Sequence, residues 1–178
     1  MMDIYDRLYG QLEELIPGLT ELEPGDYRKS EAGGFMDLHL DVLGRTDTEL
    51  RIALAHNYTQ NGDTIPDPDM EIRVYLIPDW KKAEALTYQD QYRYDQVYPE
   101  PNLVIPRLKK SLNSFLAQWL KNIKAQGHKL EAEDMDKSGN VIYPLCLKAC
   151  PMGYTEAQIR EGLCTEICES VQEEDEDE

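Results

Sequence analysis

Between Met70 and Ile123 the hydrophobic period of the chain switches from two to between three and four, and few folds accommodate both halves of that switch. In Met70-Glu71-Ile72-Arg73-Val74-Tyr75-Leu76-Ile77, Met70, Ile72, Val74 and Leu76 alternate with Glu71, Arg73, Tyr75 and Ile77, the pattern of a strand with one face on a core. From Arg107 to about Ala125, Leu108, Leu112, Phe115, Leu116, Trp119, Leu120 and Ile123 recur at three- and four-residue spacing, which gathers them on one helical stripe. Such a stripe needs an apolar surface to cover, and the sheet offers one. The expected core is this helix, Trp119 on its ridge, laid on the inner side of an antiparallel sheet, with the Arg73-bearing side left free.

The rest of the chain supplies the partners. Ile4, Tyr5, Leu8, Leu12, Leu15 and Ile16 share one face of a first helix that Pro17-Gly18 stops. A weakly signalled strand follows at Tyr27 to Ser30, then two clear alternating runs, Met36 to Val42 and Leu50 to Ala55, close enough to pair as a hairpin. Asn57 to Asp69 is dense in turn formers, including Asn61-Gly62-Asp63 and Ile65-Pro66-Asp67-Pro68-Asp69, and is expected to be a long loop rather than a strand. A second strand is expected from Lys81 to about Tyr88, and Gln91 to Tyr98 alternates again. Pro106 suits the first turn of the long helix and Gly127 its stop. On the far side of that helix Arg107, Lys110, Lys121 and Lys124 project as a cationic face, ordinarily a solvated surface and on an acidic body also a docking face for an acidic partner or for the chain's own acidic C-terminal tail.

These readings give an α+β fold: an antiparallel sheet of about four or five strands, covered on one face by an N-terminal helix and a long late helix. Residues 1–128 form the α+β domain, 129–171 a cysteine-containing helical appendage, and 172–178 an acidic tail. The net charge of −17, still −11 without the terminal run Glu173 to Glu178, argues against nucleic-acid or anionic-membrane partners. Met1 to Arg7 lacks a secretory layout, and no apolar run approaches the ~20 residues that span a bilayer. A cytoplasmic protein is expected.

Met70 to Tyr75, Ala83-Glu84-Ala85-Leu86-Thr87-Tyr88-Gln89, Tyr92-Arg93-Tyr94, Tyr98-Pro99 and Leu112-Asn113-Ser114-Phe115-Leu116-Ala117-Gln118-Trp119-Leu120 resemble, in order and spacing, the YqiB-like family of bacterial proteins of unknown function. The resemblance runs from about Ile4 to His128 and implies a small cytoplasmic α+β domain. It supplies no activity, substrate or catalytic residue. The cysteine-bearing extension departs from that family's compact form.

Candidate sites follow from residue chemistry. Arg73 and Glu84 fall on neighbouring strands at a register where they can meet, which commonly stabilises a sheet surface. If that face is a groove, Arg73, Glu84, Gln89, Tyr75, Tyr92 and Tyr94 line it with a fork donor, acceptors and flat rings, suited to a protein segment or a small anionic ligand. No nucleophile elbow surrounds any serine, and His56 with Asp63, Asp67 and Asp69 matches no metal spacing. Cys146 and Cys150, then Cys164 and Cys168, form two C-x3-C pairs. Thr155-Glu156-Ala157-Gln158 reads as a helix-starting box ahead of the second pair. Three readings stand for the four cysteines: a structural zinc, redox-linked disulfides, or small apolar residues on packed helices. The leading function is a non-enzymatic binding or adaptor domain. The competing one is an enzyme on a small anionic substrate, Arg73 orienting it and Glu84 as acid or base.

Overall fold

The computed structural model describes residues 2–60 and 63–132, with the isolated positions 155 and 157. The four cysteines, most of the expected appendage and the acidic tail lie outside the described residues. The first 131 residues form one unit.

The described elements are α1 (Ile4–Leu15), β1 (Tyr27–Ser30), β2 (Leu38–Arg45), β3 (Glu49–Gln60), β4 (Asp63–Tyr75), β5 (Ala83–Ala85), β6 (Thr87–Gln89), β7 (Tyr94–Gln96) and α2 (Pro106–Gln126). The strands form one antiparallel sheet in the order β1-β2-β3-β4-β6-β7, with β5 also paired to β4. The α+β architecture is thus present, with more strands than the four or five expected. Part of the excess is one run in two pieces: the Lys81-to-Tyr88 segment breaks at Leu86. There the Leu86 amide donates to the Glu71 carbonyl and the Glu71 amide to the Thr87 hydroxyl, a side chain replacing a ladder partner.

One correction concerns Asn57 to Asp69. Instead of a loop, β3 and β4 continue through it as a ribbon, pairing Asn57 with Pro66, Tyr58 with Ile65, Thr59 with Thr64 and Gln60 with Asp63. Two features let the prolines into the strand. The register slips between Ala55 and Asn57, and before Asp69 the described pairing of β4 is with β3 alone, so a missing amide on its other side breaks no ladder.

Register explains the core. Leu40 lies opposite Leu54 and Leu54 opposite Met70; Val42 faces Ile52, Ile52 faces Ile72, and Leu50 faces Val74. All are buried on one side of the sheet, where α1 contributes Leu8, Leu12 and Leu15 and α2 contributes Leu112, Leu116, Trp119, Leu120 and Ile123. Each such side chain contributes about 1.5–3 kcal/mol of burial. Helix ends are set by local chemistry. Asp3 caps α1 by accepting from the Tyr5 and Asp6 amides, while Asp6 accepts from the Asp3 amide. Lys82, from the segment after β4, reaches both carboxylates at 2.6 and 2.8 Å. Its ion pair and the Asp6 amide hold the Asp3 carboxyl down to about 2. At the other end of the core, α2 stops at left-handed Gly127, φ 91°, and the His128 amide donates back to the Ile123 carbonyl. That stop fixes His128 beside β3.

His56 and His128 meet there with ring centroids 5.4 Å apart, and Trp119 packs edge-on against His56 at 5.5 Å. His56 is 4 % exposed and its Nε2 has no hydrogen-bond partner. Burial, then the neighbouring His128 and His39, push its pKa down to about 4. The folded state therefore holds His56 neutral where the unfolded chain, with an ordinary value near 6.5, binds a proton. Stability is full above pH 6.5 and falls as the pH drops towards 4, by about 2 kcal/mol at pH 5. Urea unfolding at pH 7.5 and pH 5 should show that loss, and His56→Phe should flatten most of it; equal slopes in the two proteins would refute the assignment.

Candidate functional site

The outer face of the sheet is built by the alternate residues of the same strands. Asp69, Glu71, Arg73 and Tyr75 of β4 alternate with the buried Met70, Ile72 and Val74 and so lie on the opposite side of the strand. Register sets Glu84 opposite Arg73, Gln89 opposite Asp69 and Tyr94 opposite Gln89. The structure therefore brings Arg73, Glu84, Tyr75, Gln89 and Tyr94 onto one face, with Tyr92 in the turn joining β6 to β7.

They do not form one cluster. Glu84 is 1 % exposed and sits at the centre of a closed ion network. Its Oε1 accepts from the Tyr75 hydroxyl at 2.7 Å and from Arg73 Nη1 at 3.2 Å. Its Oε2 accepts from the Tyr98 hydroxyl at 3.0 Å and pairs with the Lys109 ammonium of α2. Lys109 also donates to the Tyr98 hydroxyl at 2.6 Å, and its ammonium lies over the rings of Tyr5 and Tyr98. Arg73 Nε lies 3.0 Å from Glu49 Oε2, an ion pair whose angle is too poor for a hydrogen bond. The Arg73 guanidinium also lies over the Tyr98 ring.

The electrostatics follow from this packing. Burial would raise the Glu84 pKa, but hydrogen bonds from Lys109 and Tyr75, the Lys109 charge and the Tyr98 hydroxyl outweigh it and hold the carboxyl below its usual range. Burial opposes the charge on Lys109 too, yet Glu84 and Tyr98 drive its pKa up. Tyr75 is pushed up by burial and by donating to Glu84. At neutral pH the carboxylate is ionised, the ammonium charged and the Tyr75 phenol protonated. With four donors on two oxygens, Glu84 has no lone pair aimed at solvent with which to take a substrate proton.

Gln89, Tyr92 and Tyr94 stand outside this network. Tyr92 is 86 % and Tyr94 56 % exposed. The intervening Arg93 turns to the other side of the hairpin, its guanidinium 4.5 Å from the Tyr88 ring centroid and within ion-pair reach of Asp90 and Asp95. A cleft of about 690 Å³ opens at the end of the sheet between Tyr9, Arg45, Tyr75, Pro78 and Lys81. Of the six residues expected to share a groove, only Tyr75 lines it. The Tyr75 ring also packs 4.8 Å from that of Trp80.

Sequence reasoning missed Tyr98 and Lys109. Their signal was present: Lys109 precedes Asn113 by one helical turn, and both interrupt the apolar stripe of α2. Asn113 is buried, accepts from the Ala85 amide at 2.9 Å and donates to the Lys109 carbonyl at 2.7 Å. Two polar residues in register with a buried stripe mark the place where a helix satisfies an edge strand.

Among the described residues no group of three or more His, Cys, Asp or Glu side chains is placed to hold a metal ion, and no helix is long and apolar enough to cross a membrane. The cysteines expected to hold zinc are outside the described residues. A family model described as a domain of unknown function, DUF6908, matches residues 10–129. No curated protein and no solved structure matches the chain, and nothing found links it to YqiB-like proteins.

Proposed function

The chain belongs to the DUF6908 family, and from that premise we propose that its domain is a non-enzymatic binding module, whose outer sheet face around Gln89 and Tyr92-Tyr94 hairpin dock a segment of a protein partner. The observation that carries this reading is the contrast between neighbours: two tyrosines stand in solvent beside Gln89, while the carboxylate that would do acid-base work is sealed beneath Arg73 and Lys109. Large flat side chains with few torsions are favoured where a surface binds protein, because they bury much area at little entropic cost.

A protein segment suits the face better than a small anion. Arg73 is committed to Glu84 and Glu49, Arg51 to Glu71 at 2.6 Å, and Arg93 to Asp90 and Asp95. No fork donor on the face is left over for an anionic group. The same commitments weigh against the enzymatic alternative, since Arg73 could orient a substrate only by releasing the carboxylate it neutralises.

The test is selection of peptides displayed on phage against the immobilised full chain, followed by affinity measurement on the selected peptides. Tyr92→Ala combined with Tyr94→Ala should weaken them at least ~10-fold with the unfolding curve unchanged. Failure to select any peptide, or peptides indifferent to both tyrosines, would overturn the reading.

A further inference from the structure

The 21-residue helix α2 contains Arg107, Lys109, Lys110, Lys121 and Lys124 and no carboxylate at all. Lys109 pairs with the buried Glu84, and Lys124 pairs at the surface with Glu14. Arg107, Lys110 and Lys121 are exposed and make no ion pair among the described residues. Scarcity of acids does not explain this, because acidic side chains outnumber basic ones 35 to 18. Most other Lys and Arg side chains among the described residues have a carboxylate partner, from Lys29 on β1 to Lys129 after α2. Of those that do not, Arg28 is held by the Pro17 and Leu130 carbonyls and Arg7 stands by itself on α1. The remaining three share one helix.

They also share one stripe of it. At 100° per residue, positions 107, 110, 114, 118 and 121 fall within a narrow sector, so Arg107, Lys110, Ser114, Gln118 and Lys121 form a row about 21 Å long. This charge pattern does not serve the helix itself. Cations in the first turn oppose the helix dipole, like charges three residues apart repel, and no acid stands one turn away to relieve them. Immediately before the row, Leu103, Val104 and Ile105 are 47, 39 and 40 % exposed, three consecutive large apolar residues at the surface.

We infer that this row is a second docking surface, for an acidic segment of a partner protein that lays carboxylates along Arg107, Lys110 and Lys121 and an apolar end on Leu103 to Ile105. The complementarity is local: carboxylates elsewhere on the domain act through a screening length of about 8 Å at physiological salt and do not cancel a row in direct contact. The surface is separate from the tyrosine-bearing face and stands or falls without it.

The probe is a fluorescein-labelled synthetic peptide with glutamates spaced over ~21 Å and three leucines at one end, titrated against the full chain by anisotropy. It should bind at 50 mM salt and lose at least tenfold at 300 mM. Arg107→Glu, Lys110→Glu and Lys121→Glu together should abolish binding while leaving the melting temperature equal or higher, since acids suit the first turn of a helix. Should the triple variant fold poorly, Lys110→Gln with Lys121→Gln should still weaken the peptide at least fivefold. The inference fails if the peptide does not bind, if it binds the charge-reversed triple variant equally well, or if vesicles of anionic phospholipid bind the row and the peptide does not.

Discussion

Replacing Glu84 by alanine is expected to destabilise the domain by about 3–5 kcal/mol, more than removal of any exposed carboxylate of this acidic chain. The magnitude comes from what is left behind. Lys109 and the Nη1 side of Arg73 would remain partly buried without their counter-charge, and the Tyr75 and Tyr98 hydroxyls would lose their acceptor. Breaking a buried pair by deleting one member costs this much because the surviving charge is uncompensated. Exposed pairs such as Lys81 with Glu13 should cost far less, because solvent screens both charges. In a Lys109→Met background the Glu84→Ala loss should shrink by about 0.5–3 kcal/mol, the coupling expected for residues in contact. Urea denaturation of the four proteins measures this, and additive losses would mean that Glu84 and Lys109 do not act together.

Replacing Trp119 by alanine should cost a comparable 3–5 kcal/mol, through a different mechanism. Trp119 lies in the core with Leu116, Leu120 and Ile123, its ring edge against His56 and its face near Phe115. Truncation removes the largest buried side chain of α2 and opens a cavity that the packed strands cannot close. The melting temperature should fall by roughly 10–20 °C. Trp80 is 43 % exposed, so the blue-shifted part of the intrinsic fluorescence should disappear with Trp119 while the red-shifted part remains. A stable variant with unchanged emission would place Trp119 outside the core.

Much of this fold was legible because period and burial agree. Met70, Ile72 and Val74 are buried as their alternation predicts, and Trp119 faces inwards as its stripe requires. The Asn57-to-Asp69 ribbon was illegible because local turn chemistry at Pro66 and Pro68 was overridden by a register slip and by the lack of a further described partner for β4 before Asp69. At the candidate site, strand spacing was enough to foresee that Arg73 meets Glu84. It could not foresee that Lys109 and Tyr98 close over them, since those contacts depend on how far the first turn of α2 reaches past the edge strand. The expected single groove thus separates into a sealed charge centre, a pair of exposed tyrosines, and a cleft that takes in only Tyr75.

The proposed role depends on Glu84 being a fixed, ionised hub that joins β4, β5 and α2, so that recognition is left to the side chains around it. Carbon-13 NMR titration of the Glu84 carboxyl in labelled full-length protein measures this directly. A titration midpoint below the ordinary 4.5 is the predicted result. A midpoint above 4.5, approaching neutrality, would contradict it and make Glu84 a candidate acid or base.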